Sequence, residues 1–252
     1  MGGYLLRVAL YLHFFIEYIP MDNSTRLQYL EAMGIDVWVS RKNNSENISD
    51  SFETDLQENE KIINKLGSAE EKWNTLEKEV SECEKCELCN TRTQTVFGAG
   101  SITADWMFIG EAHGQNEDAE GKPFVGQAGK LLTEMIRAIG LQRENVYIAN
   151  ILKCRPPNNR DPKQEEIKIC QDYLQRQIEL VKPKIILAVG RISAQTLLDS
   201  HDSLSKLRGR CHQLNNIPLI VVYHPAYLLR SLLEKRKAWQ DLQLAIKTYQ
   251  TL

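Results

Sequence analysis

The 252-residue chain lacks the features that mark fibrous, fully disordered or strongly basic proteins. Its formal net charge is only −2, which argues against a polybasic coat for nucleic acids but is compatible with a local basic surface. With 14 Gly and 8 Pro, collagen-like and low-complexity structures are excluded, and the 42% apolar content excludes disorder of the whole chain. We therefore expect a globular protein that forms one domain, alone or with an appendage.

The sequence also lacks a long hydrophobic run. The apolar residues 4–19 are interrupted by Arg7, His13 and Glu17, whereas a membrane-spanning helix needs about 20 apolar residues. No small-residue cleavage site follows, as a signal peptide would require. We therefore expect no membrane association and a cytoplasmic location. An alternative interpretation is that Met21 starts the protein and that residues 1–20 are an artefact of start assignment.

Residues 1–67 are predicted to be an N-terminal extension and acidic linker, followed by one domain at residues 68–252. Residues 22–42 contain a short amphipathic segment that either packs on the main body or docks a protein partner. Residues 43–82 carry 11 acidic and 4 basic side chains, whereas residues 206–237 carry 7 basic and 1 acidic. The net charge of the whole chain is therefore close to zero although it contains one acidic and one basic segment.

Four short apolar runs predict the strands of a sheet, at residues 106–109, 146–149, 185–189 and 219–223. Helical patterns lie before, between and after them, at residues 70–82, 127–139, 163–181, 193–198 and 237–249. Buried strands that alternate with helices favour a parallel sheet covered on both faces. The sequence thus predicts a three-layer α/β/α sandwich with a central four-stranded parallel sheet. Ligands bind at the carboxyl ends of such strands. Polar motifs follow those ends, namely Gly110-Glu111, Asn150, Gly190-Arg191 and His224-Pro225.

The six cysteines are spaced in a way that indicates a metal centre. Cys83, Cys86 and Cys89 lie three residues apart, Cys154 and Cys170 lie far downstream, and Cys211 stands alone. Without an export signal, disulfides are not expected. The wide separation of the downstream pair does not suit a zinc knuckle, and it favours an iron–sulfur cluster. A zinc site and unligated thiols are the remaining alternatives.

Several motifs together resemble the iron–sulfur uracil-DNA glycosylases of family four. In chain order they are CEKCELCNTRTQTVFGAG, GEAHGQNED, GKPFVGQAG, NILKCRPPNNRDP and HPAYLLR, and the resemblance covers residues 81–249. It implies a uracil-DNA glycosylase fold for residues 68–252 and a 4Fe-4S cluster. The implied cluster ligands are Cys83, Cys86, Cys154 and Cys170. Cys89 would then be an extra thiol and Cys211 an inert core residue.

The resemblance also implies the activity of a monofunctional DNA repair hydrolase. Uracil would be flipped out of the DNA stack and released by hydrolysis of its N-glycosidic bond, which leaves an abasic site for base excision repair. The motifs contain no lysine placed to form a Schiff base. Stabilisation of the anionic leaving group is expected to supply most of the rate enhancement.

Six residues are implied to form the uracil pocket. Phe124 would stack on the base, Asn150 would pair with N3–H and O4 and so distinguish uracil from cytosine, and His224 would donate to O2. Glu111 would lie beside the sugar and the attacking water, and Glu117 would exclude the methyl group of thymine. Ala112 stands where other uracil glycosylases carry an aspartate, so general-base catalysis is expected to be weak. The expected catalytic residues are Glu111, Asn150 and His224.

DNA contacts are predicted in the last third of the chain. Three residues are predicted to fill the gap that the flipped base leaves, namely Tyr227, Leu228 and Leu229. Packing in a helix core is the alternative for the two leucines. Phosphate contacts are predicted for Lys206, Arg208, Arg210 and Arg230. The expected partner is uracil-containing DNA, single- or double-stranded, and the protein is expected to be a monomer.

His113 departs from the resemblance, which implies a proline at this position of the first loop. Loss of the proline ring is expected to loosen the loop, and an alternative is that the imidazole alters or impairs turnover. The main alternative function is an iron–sulfur protein that binds or cross-links uracil-DNA with weak turnover. An electron carrier would leave Asn150 and His224 unexplained, and a dinucleotide-binding protein would need a G-x-G-x-x-G motif after the first strand.

Overall fold

The computed structural model describes residues 69–252. The predicted N-terminal extension, its acidic linker, the docking segment at residues 22–42 and the domain boundary after residue 67 lie outside the described residues. The first described element is helix α1, at residues 69–81.

A six-stranded sheet forms the centre of the described part. In chain order its strands are β1 (Ala99–Gly100), β2 (Trp106–Gly110), β3 (Tyr147–Asn150), β4 (Ile185–Val189), β5 (Cys211–Leu214) and β6 (Ile217–Val222). They lie in the order β1-β3-β2-β4-β6-β5. The middle four strands are parallel, and the two edge strands are antiparallel to their neighbours. The predicted four-stranded parallel sheet is therefore confirmed, with two edge strands added to it.

Seven further α-helices follow α1 in the described residues. They are α2 (Gln115–Glu120), α3 (Gln127–Ala138), α4 (Gln164–Val181), α5 (Arg191–Leu197), α6 (Leu204–Leu207), α7 (Pro225–Arg230) and α8 (Lys235–Tyr249). Helices α1, α3, α4, α5 and α8 agree with the sequence prediction within two residues at either end. Among residues 69–252, no helix has both the length and the apolar character that crossing a membrane requires.

Two apolar clusters cover the opposite faces of the sheet. Met107 and Ile109 of β2 pack with α4 on one face, while Phe108 between them packs with α3 and α8 on the other. Successive side chains of a strand point to opposite faces, so a fully apolar strand such as β2 has both faces buried. This arrangement is the predicted three-layer α/β/α sandwich.

The β5–β6 hairpin is one edge element that the sequence analysis missed. Asn215 and Asn216 connect the two strands, and both have positive φ angles, 51° and 66°. Asparagine tolerates this left-handed conformation better than most residues, and two such residues in succession form the tight turn that joins antiparallel strands. The Asn-Asn pair between Leu214 and Ile217 was therefore an available hairpin signal.

The parallel strands bring the predicted polar motifs to one edge of the sheet. Gly110 and Asn150 are register partners at the ends of β2 and β3. At the ends of the next two strands, Val189 pairs with Val222, two residues before His224. The segments that follow all four parallel strands therefore border one region.

Candidate active site

A cavity of about 460 Å³ opens at the carboxyl ends of the parallel strands. It is lined by all six residues that the sequence analysis placed in a ligand pocket, namely Glu111, Ala112, Glu117, Phe124, Asn150 and His224. His113, Arg160 and Arg230 also line it. Arg230 was predicted to contact phosphate, and neither His113 nor Arg160 was predicted to lie in the pocket. Residues from five separate segments thus share one concave site.

Asn150 presents an unpaired amide to this cavity. The residue ends β3 and is 1% exposed, and neither Nδ2 nor Oδ1 has a hydrogen-bond partner in the described part of the chain. A buried polar atom left without a partner costs about 1–3 kcal/mol. The side chain therefore offers one donor and one acceptor, side by side, to a ligand with the complementary pair.

Phe124 lies against the same strand end in a strained backbone conformation. Its φ angle is 53°, which is unusual for a bulky residue, and the ring is buried. Arg143 Nη2 donates to the backbone oxygens of Pro123, at 2.7 Å, and Phe124, at 3.2 Å. The Phe124 ring lies 5.7 Å from the His224 ring, centroid to centroid, at an interplanar angle of 33°. The Arg143 contacts thus fix an aromatic wall beside His224.

His224 is held as a neutral donor at the start of α7. Its Nδ1 accepts a hydrogen bond from the backbone N–H of Ala226 at 3.1 Å, so the neutral ring carries its proton on Nε2. Burial, with a smaller contribution from the positive charge of Arg230, lowers the pKa of His224 to about 4 against the opposing charge of Glu117. The ring is therefore uncharged at neutral pH, and its Nε2–H is the group that remains to donate to a ligand.

Glu111 is the cavity carboxyl group with the most perturbed pKa. Burial raises the pKa of Glu111 to about 7, and the negative charge of Asp161 adds to this shift while Arg191 opposes it. The side chain follows β2 directly, and its backbone oxygen accepts from Leu152 N–H at 3.0 Å. A carboxyl group in this state gains or loses its proton near neutral pH.

Glu117 ties two loops of the cavity together. One carboxylate oxygen accepts from the N–H groups of Val125 and Gly126, both at 3.0 Å, and the other accepts from Gly114 N–H at 3.1 Å. Burial alone would raise the pKa of Glu117, but these backbone hydrogen bonds hold it below its usual value. The carboxylate therefore stays ionised. Its expected exclusion of a methyl group stays a prediction.

His113 is also buried in the cavity wall, at 4% exposure, and neither ring nitrogen has a partner within residues 69–252. Burial lowers its pKa to about 4, against the opposing charges of Asp118 and Glu117. The imidazole is therefore neutral at pH 7, with one donor and one acceptor. In the sequence His113 is a departure from the expected proline, but its burial in the pocket was not predicted.

The four predicted cluster ligands converge on one region beside the sheet. Cys154 and Cys170 are buried, and Cys83 and Cys86 are half-buried. Burial raises the pKa of the Cys154 thiol to about 11, with smaller contributions from Cys170 and Cys86. Burial also raises the pKa of Cys170, and Cys86 and Cys83 add to the shift. Cys154 and Cys170 belong to one buried cluster and Cys86 packs against it, so segments distant in sequence bring these thiols together.

Arg92 contacts this thiol group through a hydrogen bond from Nη1 to Cys154 Sγ at 3.0 Å. Within residues 69–252, no three His, Cys, Asp or Glu side chains are arranged to hold a single metal ion. A cluster of several irons occupies a larger volume than one ion and takes its ligands from more widely spaced positions. Thiols are the ligands that an iron–sulfur cluster takes, and the predicted cluster stays a prediction.

Cys211 does not lie in the core, so that prediction was wrong. It is exposed at the start of β5, which is an edge strand of the sheet that residues 69–252 form. Cys89 is half-buried beside the predicted ligands, and its charge affects the pKa of Cys86.

A fully buried lysine connects the thiol region with Asn150. Lys153 Nζ donates to Gln177 Oε1 at 2.6 Å, to the backbone oxygen of Asn150 at 2.8 Å and to that of Phe97 at 3.4 Å. Gln177 in turn donates to Tyr147 Oη at 3.0 Å. Since Lys153 precedes Cys154 and Gln177 shares α4 with Cys170, this network fixes the end of β3 relative to both cysteines.

The residues predicted to contact DNA separate into exposed and buried ones. Tyr227 and Leu229 are 38% and 43% exposed, whereas Leu228 is 1% exposed and packs in the core. The prediction that Leu228 fills the gap in DNA therefore needs correction, because the side chain would have to leave the core to do so. The helix-core alternative holds for Leu228 and not for Leu229.

Arg208 likewise has a structural partner. Its Nε donates to Asp241 Oδ2 at 2.8 Å, its Nη2 donates to the Lys237 backbone oxygen at 2.6 Å, and its side chain is 13% exposed. The predicted phosphate contact would compete with this buried ion pair. Arg210 and Arg230 are exposed, and Lys206 pairs with Asp202 at 3.4 Å on the surface.

Comparisons with known proteins agree with this geometry. The family described as "Uracil DNA glycosylase superfamily" matches residues 97–243. A type-4 uracil-DNA glycosylase of Sulfurisphaera tokodaii is 44% identical over 189 residues, covering 69% of this chain and 86% of the relative. Those of Archaeoglobus fulgidus and Saccharolobus solfataricus are 47% and 50% identical over 160 residues, covering 60% of this chain and 80% and 74% of the relatives.

Proposed function

The chain belongs to the uracil DNA glycosylase superfamily, and we propose that it is a type-4 uracil-DNA glycosylase that excises uracil from DNA. The observation that carries this proposal is the buried amide of Asn150, a residue that lines the cavity and whose two polar atoms have no hydrogen-bond partner among residues 69–252. Uracil carries an N–H donor beside a carbonyl acceptor on its Watson–Crick edge, and this pair complements an amide.

The same amide supports discrimination against cytosine. Cytosine presents an acceptor at N3 and an amino donor at C4, which would leave mismatched polar atoms buried against Asn150. A site that hydrogen-bonds its substrate rejects the analogue with the wrong pattern strongly, because the buried groups then remain unpaired. In this proposal the base is flipped out of the stack and rests on Phe124.

His224 stabilises the leaving group in this proposal. Cleavage of the N1–C1′ bond leaves negative charge on the uracil ring, and the neutral His224 donates from Nε2 to the O2 atom where that charge develops. Glu111, as a carboxylate, faces the positive charge that grows on the sugar and orients the attacking water. The water oxygen bonds to C1′, the water proton passes to the base or to solvent, and an abasic site remains.

A 4Fe-4S cluster is proposed to bind the thiolates of Cys83, Cys86, Cys154 and Cys170. The grouping of Cys86, Cys154 and Cys170 in one buried region, and the Arg92 guanidinium that donates to Cys154 Sγ, support an anionic cluster at this place. When bound, the cluster would cross-link the segment after α1, the segment after β3 and helix α4. Lys153 and Gln177 would transmit that constraint to Asn150 through the hydrogen bond to its backbone oxygen.

DNA is proposed to bind across the mouth of the cavity. Arg230 lines this mouth, and the exposed side chains of Tyr227 and Leu229 lie on the same short helix. An apolar side chain can fill the space that a flipped base leaves, while an arginine neutralises a phosphate without reading sequence. Arg210 is exposed in the neighbouring loop and is a further candidate for a phosphate contact.

The test is a cleavage assay for abasic sites on uracil-containing single- and double-stranded DNA. We expect wild-type protein to release uracil, and Asn150→Ala and His224→Ala each to lower the single-turnover rate by about 100-fold or more. Asn145→Ala and His201→Ala, which change exposed residues outside the cavity, are the matched controls. Unchanged rates in both cavity variants would exclude this site. DNA retained covalently on a denaturing gel, with little free uracil, would support the cross-linking alternative instead.

A further inference from the structure

An arginine beside the cavity has no acidic partner in the described part of the chain. Arg155 is half-buried, and its Nε donates to Asn159 Oδ1 at 2.8 Å. Two neighbouring arginines, Arg160 and Arg191, are each paired with a carboxylate. Arg155 forms no such pair with residues 69–252, and its two Nη groups make no hydrogen bond to them. They are therefore available to an anionic ligand.

The contact with Asn159 places the Arg155 guanidinium at the cavity, because Asn159 is one of the residues that line it. Asn158 and Asn159 have positive φ angles, 55° and 53°, a conformation that asparagine tolerates better than most residues. The next residue, Arg160, fixes this turn by donating from both Nη atoms to a buried carboxylate of α4. The turn is therefore held in one conformation, with Arg155 at the cavity wall.

Arg155 and Arg230 stand on opposite sides of the cavity. Arg155 follows β3, Arg230 belongs to α7, which follows β6, and strands β2 and β4 lie between them. With about 4.8 Å between neighbouring strands, the ends of β3 and β6 are about 14 Å apart. Arg230 is exposed, lines the cavity and has no ion-pair partner within residues 69–252 either. Two cations without a carboxylate thus flank the opening through which a flipped nucleotide would enter.

We propose that Arg155, anchored by Asn159, binds a DNA phosphate on the side of the flipped nucleotide opposite to the phosphate that Arg230 binds. This inference rests on the proposed function. The guanidinium is a planar fork that matches the oxygens of a phosphate group, and a phosphate contact fixes position without reading sequence. A flipped nucleotide carries one phosphate on each side, so a cation at either side of the cavity holds the backbone while the base enters.

The thiol region offers a different anion, because Cys154 precedes Arg155 in the chain. Arg92 already donates to Cys154 Sγ at 3.0 Å, and Cys154 is buried in the apolar cluster below the sheet. Arg155 instead makes its hydrogen bond to Asn159, on the side of the cavity. The two arginines therefore contact different groups, and Arg155 is the one beside the cavity.

The test combines protein variants with DNA in which single phosphates on either side of the uracil are replaced by uncharged methylphosphonates. The DNA carries 2′-fluorodeoxyuridine, whose fluorine slows cleavage, and fluorescence anisotropy measures binding. The readout is the ratio of the dissociation constants for modified and unmodified DNA, which does not depend on the folded fraction. We expect wild-type protein to bind about 10-fold more weakly when a contacted phosphate on either side is neutralised.

Arg155→Gln should abolish the effect of the methylphosphonate on one side only, and Arg230→Gln should abolish the effect on the other side. Asn159→Gly keeps a residue that tolerates a positive φ angle but removes the anchor, so it should reduce the Arg155 effect in part. Lys184→Gln is the matched control. It also removes one positive charge, but at the amino end of β4, at the edge of the sheet away from the cavity, and it should retain both effects.

The same set of effects in Arg155→Gln as in wild type would overturn the inference. Loss of the same effect in Arg155→Gln and Arg230→Gln would also overturn it, since both arginines would then contact one phosphate. Loss of iron from Arg155→Gln would assign its guanidinium to the thiol region and likewise overturn it. Failure of wild-type protein to release uracil from unmodified uracil-DNA would instead refute the proposed function.

Discussion

Gly110 and Asn150 face each other across neighbouring parallel strands, with no space for a side chain at position 110. A Cβ atom on Gly110 would lie 2.3 Å from Asn150 Oδ1 and 2.7 Å from Phe124 Cζ. Contacts below 3.0 Å force atoms to move, and here both affected groups belong to the proposed uracil pocket. The glycine therefore sets the position of the base-pairing amide and of the stacking ring together.

Gly110→Ala is expected to lower uracil excision by about 100-fold, because a displacement of about 1 Å in a positioned group has an effect of that size. The single-turnover rate measures this, and circular dichroism with thermal unfolding checks the fold. Gly126→Ala is the matched control, since a Cβ there would lie 3.3 Å from Asn116 Nδ2 and 3.5 Å from Glu117 Oε1. Equal losses in the two variants would argue against the specific role of Gly110.

The layered architecture was readable from the sequence because it depends on local patterns. Ile185–Val189 consists of five apolar residues that are all buried, as a strand covered on both faces requires. The strand ends then placed Glu111, Asn150 and His224 at one edge without any knowledge of long-range contacts. By contrast, β5 alternates exposed and half-buried residues over only four positions, and its single cysteine suggested a core position that the edge strand does not provide.

What the sequence could not supply was the direction of individual side chains and their distant partners. Leu228 and Leu229 are neighbours on α7, yet a helix turns by about 100° per residue, so one faces the core and the other faces solvent. Arg208 was predicted from the sequence to contact phosphate, but its partner in the structure is Asp241, 33 residues away. His113 was conspicuous as a departure, but only the packing of two loops and β3 shows that it is buried.

Excision is expected to depend on pH through Glu111. Its pKa of about 7 lies near neutral pH, and the proposed role requires the carboxylate form. The rate with saturating DNA should therefore rise as pH increases from 6 to 8, with an inflection near 7. His224 should not contribute to this inflection because its pKa is about 4. Glu111→Gln should be slower and should lack the inflection, and a wild-type rate that falls over this range would assign Glu111 the opposite role of an acid.

Glu111 should also make stability depend on pH. Its pKa in the folded protein is raised from 4.5 to about 7, so folding favours the protonated form. The contribution of this group to stability is therefore fully present below pH 4.5 and is lost as pH rises through about 7. The free energy of unfolding of Glu111→Gln, relative to wild type, should increase between pH 5 and pH 8. Urea titrations at both pH values measure it, and a pH-independent difference would show that the Glu111 carboxyl is not perturbed.

Four of the six cysteines are expected to be needed for iron binding, and the other two are not. Alanine at Cys83, Cys86, Cys154 or Cys170 should remove iron and sulfide and lower the thermal unfolding temperature, because the cross-link between the segments is lost. Alanine at Cys89 or Cys211 should leave the iron content at the wild-type level. Iron and sulfide analysis with visible absorbance provides the measurement. Retained iron in Cys154→Ala together with loss in Cys89→Ala would reassign the ligands.

Replacement of Arg230 is expected to weaken DNA binding, whereas replacement of Arg208 is expected to lower the stability of the protein. Arg230 is exposed at the cavity mouth, so Arg230→Gln should weaken DNA binding and make the plot of log K against log salt less steep by about 0.9 for double-stranded DNA. Arg208 instead pairs with Asp241, which is 1% exposed. Burial raises the pKa of Asp241 to about 6, against the opposing effect of Arg208. Arg208→Gln should therefore leave the salt slope unchanged and lower the free energy of unfolding by about 3 kcal/mol at pH 8, because a buried carboxylate loses its partner.

Two measurements separate these effects, namely fluorescence anisotropy of labelled uracil-DNA over a range of salt concentrations and urea unfolding of the protein alone. Lys206→Gln is a useful comparison, since Lys206 forms a surface pair with Asp202 and its loss should cost little stability. A smaller salt slope in Arg208→Gln with unchanged stability would restore the phosphate contact predicted from the sequence. It would also show that the Arg208–Asp241 pair opens when DNA binds.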